Sequence, residues 1–544
     1  MTSLTRRRCA GLAAAVALAI GGAVAAPVAT AAPTPAILAA DTTETVNTAT
    51  IDSSATSDLT IHKLAQTEDN GIEAGNGLED PSAVGTGVGE VVFTVTKLSL
   101  DLTTQQGWQD LAELNGSASA ARNYLTSDVQ TRTTDGSGLA VFSDLPVGAY
   151  LVSETKTPAN VTPAEDFIVT LPMTNPNDQA SWNYDVHVYP KNSVVEVKKE
   201  VSDSTSPSVG DALTFTIEAD IPKLDVDGGA TIKNYQIVDP LDPRLAYDGT
   251  QVTMIGTGAV ELDEGADYTI TPKEADGKTY VTVTFTEEGR AKIAEARAEG
   301  DTSTKVQVVI NTTVKEIGDG ASAISNQAFL IPNDSQTEWD PNNPTPDVPG
   351  EPTEEVKSYY GKVAITKTGT DNAAASKYAG AEFQVFECTP TGATQGGVVK
   401  RADAGISGDA ITATEVSGGT STANQATFTT GTDGTVTIDA LRTNDFIDNK
   451  DVTSPGWYCL VETKAPEGYE LQSGVVTFQV LKANVIDSDP YTLDVEVVDV
   501  PSNAGFRLPL TGANGVIFLT IAGILLVTGA VLLAVHNKRR STQD

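Results

Sequence analysis

Short runs of alternating apolar and polar residues recur along most of the chain, as in Leu59-Thr60-Ile61, Val195-Glu196-Val197, Val363-Ala364-Ile365-Thr366 and Val495-Glu496-Val497. A period of two puts one residue set on one face of a strand, so this pattern predicts half-buried β-strands. Gly, Pro, Asn and Asp clusters separate the runs and mark turns. Helical spacing is confined to 103–125 and 287–299. Composition breaks at Tyr189-Pro190-Lys191-Asn192 and at the Pro- and acid-rich stretch 340–355 divide the chain into segments 33–191, 192–353 and 354–505. Each has the size of an immunoglobulin-like sandwich with insertions. The fold class is therefore all-β, with three sandwich domains in tandem.

The two ends break the alternation. Arg6, Arg7 and Arg8 precede an apolar stretch that closes on Ala29, Ala31 and Ala32, which reads as a secretory signal peptide over 1–32. Residues 515–535 form a nearly charge-free run of bilayer-spanning length, followed by a tail, 536–544, that carries Lys538, Arg539 and Arg540. Leu508-Pro509-Leu510-Thr511-Gly512 stands just before it. Standing alone, the apolar run would be a permanent single-pass anchor.

Charge narrows the partners. The 544 residues include 72 Asp plus Glu against 35 Lys plus Arg, a formal charge of −37, so nucleic acid is excluded as a partner. Removing 1–32 and 512–544 takes away six basic residues and one acidic one, so the exported chain is more acidic still. With 3 His, a His-rich metal or acid–base site is not expected, and no HExxH, GxSxG or phosphate loop occurs. The acid pair Asp239 and Asp242 imitates a glycosidase site but is of a kind common in β-loops, and Asp-rich loops such as 225–227 are candidates for calcium. No metal or cofactor is assigned. Cys9 falls in the leader, leaving Cys388 and Cys459 for one disulfide in an oxidising compartment. Both lie opposite the inward residues of their strands, so a surface cross-strand disulfide is expected.

The lysines carry the unusual signal. Lys63 shares the face of Leu59 and Ile61, Lys367 that of Val363 and Ile365, and Lys199, with Lys198 as competitor, that of Val195 and Val197. An unpaired ammonium in a core is strongly unfavourable. Acids share the inward parity: Glu154 with Tyr150 and Val152, Glu462 with Tyr458 and Leu460, Asp239 with Tyr235 and Ile237. Near the end of each segment, Asn192, Asn326 and Asp499 also point inward, with Asn503 as the fallback for Asp499.

Three motifs carry a family resemblance. The order of LPLTG at 508–512, apolar span and basic tail resembles the sorting signal of Gram-positive surface proteins. Tyr150-Leu151-Val152-Ser153-Glu154-Thr155-Lys156-Thr157-Pro158 and Tyr458-Cys459-Leu460-Val461-Glu462-Thr463-Lys464-Ala465-Pro466 share a Y-x-V/L-x-E-T-K-x-P core that resembles the E-box of collagen-adhesin B type domains. Trp182-Asn183-Tyr184-Asp185-Val186-His187-Val188-Tyr189-Pro190-Lys191 matches the pilin motif W-x-x-x-V-x-V-Y-P-K. Together they resemble the shaft subunits of sortase-assembled pili, actinobacterial major fimbrial subunits in particular.

The resemblance implies a cell-wall-anchored fimbrial subunit with a role in adhesion and biofilm, not a turnover enzyme. A pilus-specific sortase would cleave after Thr511, and Lys191 of an identical subunit would attack the acyl-enzyme, giving a head-to-tail covalent polymer finally attached to peptidoglycan. A tip pilin is an optional further partner, and surface receptors are not specified. The resemblance also implies intramolecular amides, Lys367 to Asp499, Lys199 to Asn326 and Lys63 to Asn192, promoted by Glu462, Asp239 and Glu154. Asp499 departs from the Asn more usual in the family. The rival reading is a monomeric wall-anchored LPxTG adhesin, which has no use for Lys191.

Overall fold

The computed structural model describes residues 51–65, 75–83, 85–178, 180–224, 226, 229–317, 323–332, 339–487 and 491–502. The signal peptide, the sorting motif with Thr511, the 515–535 span, the basic tail, Asn503, Asp225 and Asp227 lie outside that set. Among the described residues no helix is long and apolar enough to cross a membrane. Strands dominate, as the alternation predicts, and they group into two compact units, 1–360 with 446–453 and 361–445 with 454–544.

The first unit begins with Thr56–His62, paired in parallel with Asp185–Val188 and antiparallel with Leu139–Pro146. A second sheet runs in the order Leu125–Thr133, Val92–Leu98, Gly148–Lys156, Phe167–Leu171. Leu59, Ile61, Phe93, Phe142, Tyr150, Val152 and Val186 pack as one core. The outer face of the second sheet is not solvated. Leu98, Leu151, Leu111 and Leu114 form a second cluster there. The helical stretch expected at 103–125 supplies its cover as Gln105–Glu113, capped by the Thr104 hydroxyl accepting from Gly107 N, followed by Ala118–Ala121 and a 3-10 turn.

Further along the same unit, Val197–Ser202, Ala212–Asp220, Lys305–Val314 and Leu245–Ile255 form one sheet. The other runs Tyr268–Ala275, Lys278–Phe285, Gln236–Leu241, Phe329–Ile331, Glu351–Pro352. The helix Glu287–Glu299 occupies the second stretch of helical spacing, with Thr286 as its N-cap. The Pro-rich stretch is partly built into the fold, since Trp339 is buried and Glu351–Pro352 adds a strand edge.

In the second unit, the residues of Val356–Gly369 from 362 onward pair in parallel with Thr492–Asp499. The facing sheet centres on Glu382–Cys388, Trp457–Lys464 and Gly474–Phe478. Cys388 and Cys459 are bonded as expected, but not at the surface: they are 3% and 0% exposed. Their strand face is the outer one, and residues of the following insertion, Val399, Ala404 and Ile406, cover it together with Val461 and Val475. Burial of that face comes from the segment after Cys388 folding back over its own strand, which strand parity alone does not reveal. Replacing both cysteines with Ala opens a loop of 71 residues, worth about 4 kcal/mol in a chain-entropy account. Calorimetry reads this as a lowered Tm. A smaller loss is expected wherever an outer cross-link between residues 367 and 499 already encloses this loop.

Candidate functional site

Each domain encloses one lysine against an acid. Lys63 follows the strand Thr56–His62 and is fully buried. Its Nζ forms an ion pair with Glu154, at the end of Gly148–Lys156. The other Glu154 oxygen accepts from Asn192 Nδ2 at 3.0 Å, so one carboxyl bridges the amine and the amide. Parallel pairing of Leu59 with Val186, and of Leu64 with Lys191, brings these distant residues together. Burial pushes the Lys63 amine down to about 8, against the pull of Glu154.

The middle arrangement is deeper. Lys199 is buried, whereas the Lys198 side chain is 66% exposed and faces Glu196, as strand parity requires of neighbours. Lys199 pairs with Asp239, neither side chain reaching solvent. Desolvation pushes the amine down and the Asp239 carboxyl up, so the neutral forms of both are favoured over their ordinary states. Asn326, on Ala323–Asn326, is buried beside Asp239, and its amide opposes the upward push on that carboxyl.

In the second unit Lys367 Nζ lies 2.9 Å from Glu462 Oε1 and forms an ion pair with Asp499. The parallel register Lys367 with Val497 and Gly369 with Asp499 makes that contact. Lys367 Nζ and Asp499 Oδ1 lie at ion-pair range without the angles of a hydrogen bond. Burial raises the Glu462 carboxyl, and its second oxygen accepts from Gln472 N at 2.7 Å. Asp499, not an Asn, is what meets the lysine.

Sequence reasoning missed the floor of these sites. Phe93, Phe215 and Phe383 stand under Lys63, Lys199 and Lys367, with Nζ 5.6, 4.7 and 5.9 Å from the ring centroids. The signal was present as an inward aromatic at the start of Phe93-Thr94-Val95, Phe215-Thr216-Ile217 and Phe383-Gln384-Val385. An aromatic face tolerates the ammonium form and excludes water from the amine. Asp239 and Asp242 are each committed to a cation, Lys199 and Arg244, and do not form an acid–base pair.

The pilin-motif residues line up along the sheet that holds Lys63. Trp182 packs against Trp108 at 5.8 Å, Val186 is buried, Val188 is half-buried and Tyr189 stacks on His62 at 4.5 Å. Pro190 O lies 3.4 Å from Lys63 Nζ. Lys191 opens the strand Lys191–Val194, its backbone opposite Leu64, and its side chain is outside the described set.

Strand-rich domains in tandem, each closing on a buried lysine paired with an acid, define the class of fold. Comparisons with known proteins sharpen this. Residues 54–193 match the family described as Gram-positive pilin subunit D1, N-terminal domain; 193–338 match the Sgo0707 N2 domain; 361–491 match a prealbumin-like fold domain; and 500–541 match the LPXTG cell wall anchor motif. The chain is 49% identical to the fimbrial subunit type 1 of Actinomyces viscosus, over 99% of both chains. Among solved structures it is similar to the fimbrial protein FimP of Actinomyces oris, at 44% identity and TM-score 0.57 over 84% of this chain and all of that one. The full-length major pilin SpaD of Corynebacterium diphtheriae gives 30% identity and TM-score 0.63 with the same coverage. The chain belongs to the Gram-positive fimbrial subunits and is a cell-wall-anchored component of a surface fimbria.

Proposed function

We propose that this chain is the repeating shaft subunit of its fimbria, linked by an amide from the Thr511 carbonyl of one copy to Lys191 Nζ of the next. In this reading sortase cleaves the Thr511–Gly512 bond and holds Thr511 as a thioester. The Lys191 amine attacks, the thiolate leaves, and one proton is lost from the new amide nitrogen. One donor and one acceptor per copy give an open, head-to-tail chain.

The same reading places an internal amide in each domain, which clamps the subunit against force and proteolysis. The neutral lysine attacks the side-chain carbonyl while the neighbouring acid protonates it. Ammonia leaves from Asn192 and Asn326, water from Asp499, and no other reactant is needed. The observation that supports this most strongly is the middle site, where burial moves Lys199 and Asp239 toward their neutral forms with Asn326 beside them. Each subunit condenses each site once, so the chain is not a turnover enzyme. Intact-mass spectrometry of the ectodomain checks it. After the disulfide is reduced, the expected mass falls short of the sequence by two ammonia and one water, and a mass equal to the uncondensed sequence contradicts it.

A further inference from the structure

Two of the chain's 3 histidines meet at the pilin motif, one of them within it, and neither takes part in the amide chemistry. His62 ends the strand Thr56–His62, and His187 lies on the parallel neighbour, opposite Thr60. His62 Nε2 and His187 Nδ1 are 2.8 Å apart, so one ring donates and the other accepts. Tyr189 stacks on His62 with an interplanar angle of 13°, and its hydroxyl accepts from Asp80 N at 2.7 Å. His187 N donates to Gly77 O at 3.1 Å. Residues 187–189, which lead into Lys191, are thus held by His62 on one side and by the segment around Gly77 to Asp80 on the other.

We propose that the His62–His187 bridge positions the segment leading into Lys191 and releases it on acidification. The proposal rests on Lys191 being the acceptor. An N–H···N bond survives only while one of the two nitrogens keeps its lone pair. With both rings protonated, two N–H groups point at each other and two like charges share a half-buried site. Burial holds His62 below the ordinary imidazole value, His187 adds to that shift, and Glu79 opposes it. Of the other charged groups nearby, Asp185 Oδ1 is 3.4 Å from His187 Nε2, the Asp80 carboxylate is engaged by Ser82, and Lys63 is paired with Glu154 in the core. The sign follows: the folded state binds the His62 proton less well than the unfolded chain does. Stability of this contact is therefore complete above the unfolded value and falls as the pH drops toward the depressed folded one.

The test compares full ectodomain carrying His62→Gln with wild type in a sortase polymerisation assay. Rates are taken as a variant-to-wild-type ratio at each pH, so the enzyme's own pH dependence cancels. Gln keeps a donor and does not titrate. The ratio is expected to rise several-fold between about pH 7.5 and about pH 5.5, with His187→Asn behaving alike. Hydrogen exchange of the peptide spanning 182–194, wild type against variant at the same pH, is expected to show faster exchange of wild type only at the acid end. A constant ratio with equal exchange overturns the proposal. A constant ratio with acid-dependent exchange confines the loosening to the bridge and overturns the positioning role. If Lys191→Ala polymerises like wild type, the acceptor reading fails while the exchange result still stands on its own.

Discussion

Replacing Lys191 with Ala abolishes the ladder of covalent multimers that sortase builds from the wild-type chain, while the monomer remains folded and exported. The main-chain pairing of Lys191 with Leu64 does not depend on the side chain, so the local strand survives the change. The amine is the nucleophile in the proposed transfer, and Ala has none to offer. Lys191→Arg is expected to fail equally, because a guanidinium stays protonated and is a poor acceptor. An unchanged ladder with Lys191→Ala would favour the monomeric adhesin reading or another acceptor. Denaturing electrophoresis after incubation with sortase is the readout.

Removing Glu462 has the largest expected effect on stability. The carboxyl lies between Lys367 and the backbone N–H of Gln472, and it is the acid that would protonate the Asp499 carbonyl. Glu462→Ala leaves a buried donor unanswered, at about 1–3 kcal/mol, and stops the cross-link from forming. Closing the loop between residues 367 and 499 is worth about 5 kcal/mol in the chain-entropy account, so the two losses together lower the Tm of this domain steeply. The variant should also regain one water in intact mass and become open to protease. Glu462→Gln is the sharper control, since it keeps the shape and can still accept from Gln472 N but does not deliver the proton. A condensed mass with either variant would show that Glu462 is not the promoting acid.

How much of this was legible in the sequence depended on distance along the chain. The inward direction of Lys63, Lys199, Lys367, Glu154, Asp239 and Glu462 is a local property of strand alternation, and all six side chains are buried or nearly so. Asn192 and Asp499 are legible by the same parity, with Val186 and Val188 and with Val495 and Val497, whereas the parallel pairing that brings them beside Ala65 and Gly369 is not. The outer face of the Cys388 and Cys459 strands reads as solvated by parity, because parity does not show that the insertion after Cys388 folds back over it. His62 and His187 are 125 residues apart, and nothing local in either strand announces the bridge. The Phe floor under each lysine was visible only as another inward aromatic until the three lysines were seen above the rings.

The central claim is a specific bond between copies of this chain. Tandem mass spectrometry of fimbriae released from the wall tests it most directly. The expected product is a branched peptide in which the Thr511 carbonyl is joined to Lys191 Nζ. Recovery of Lys191 only in unmodified linear peptides, or of Thr511 joined to a different lysine, would contradict the account.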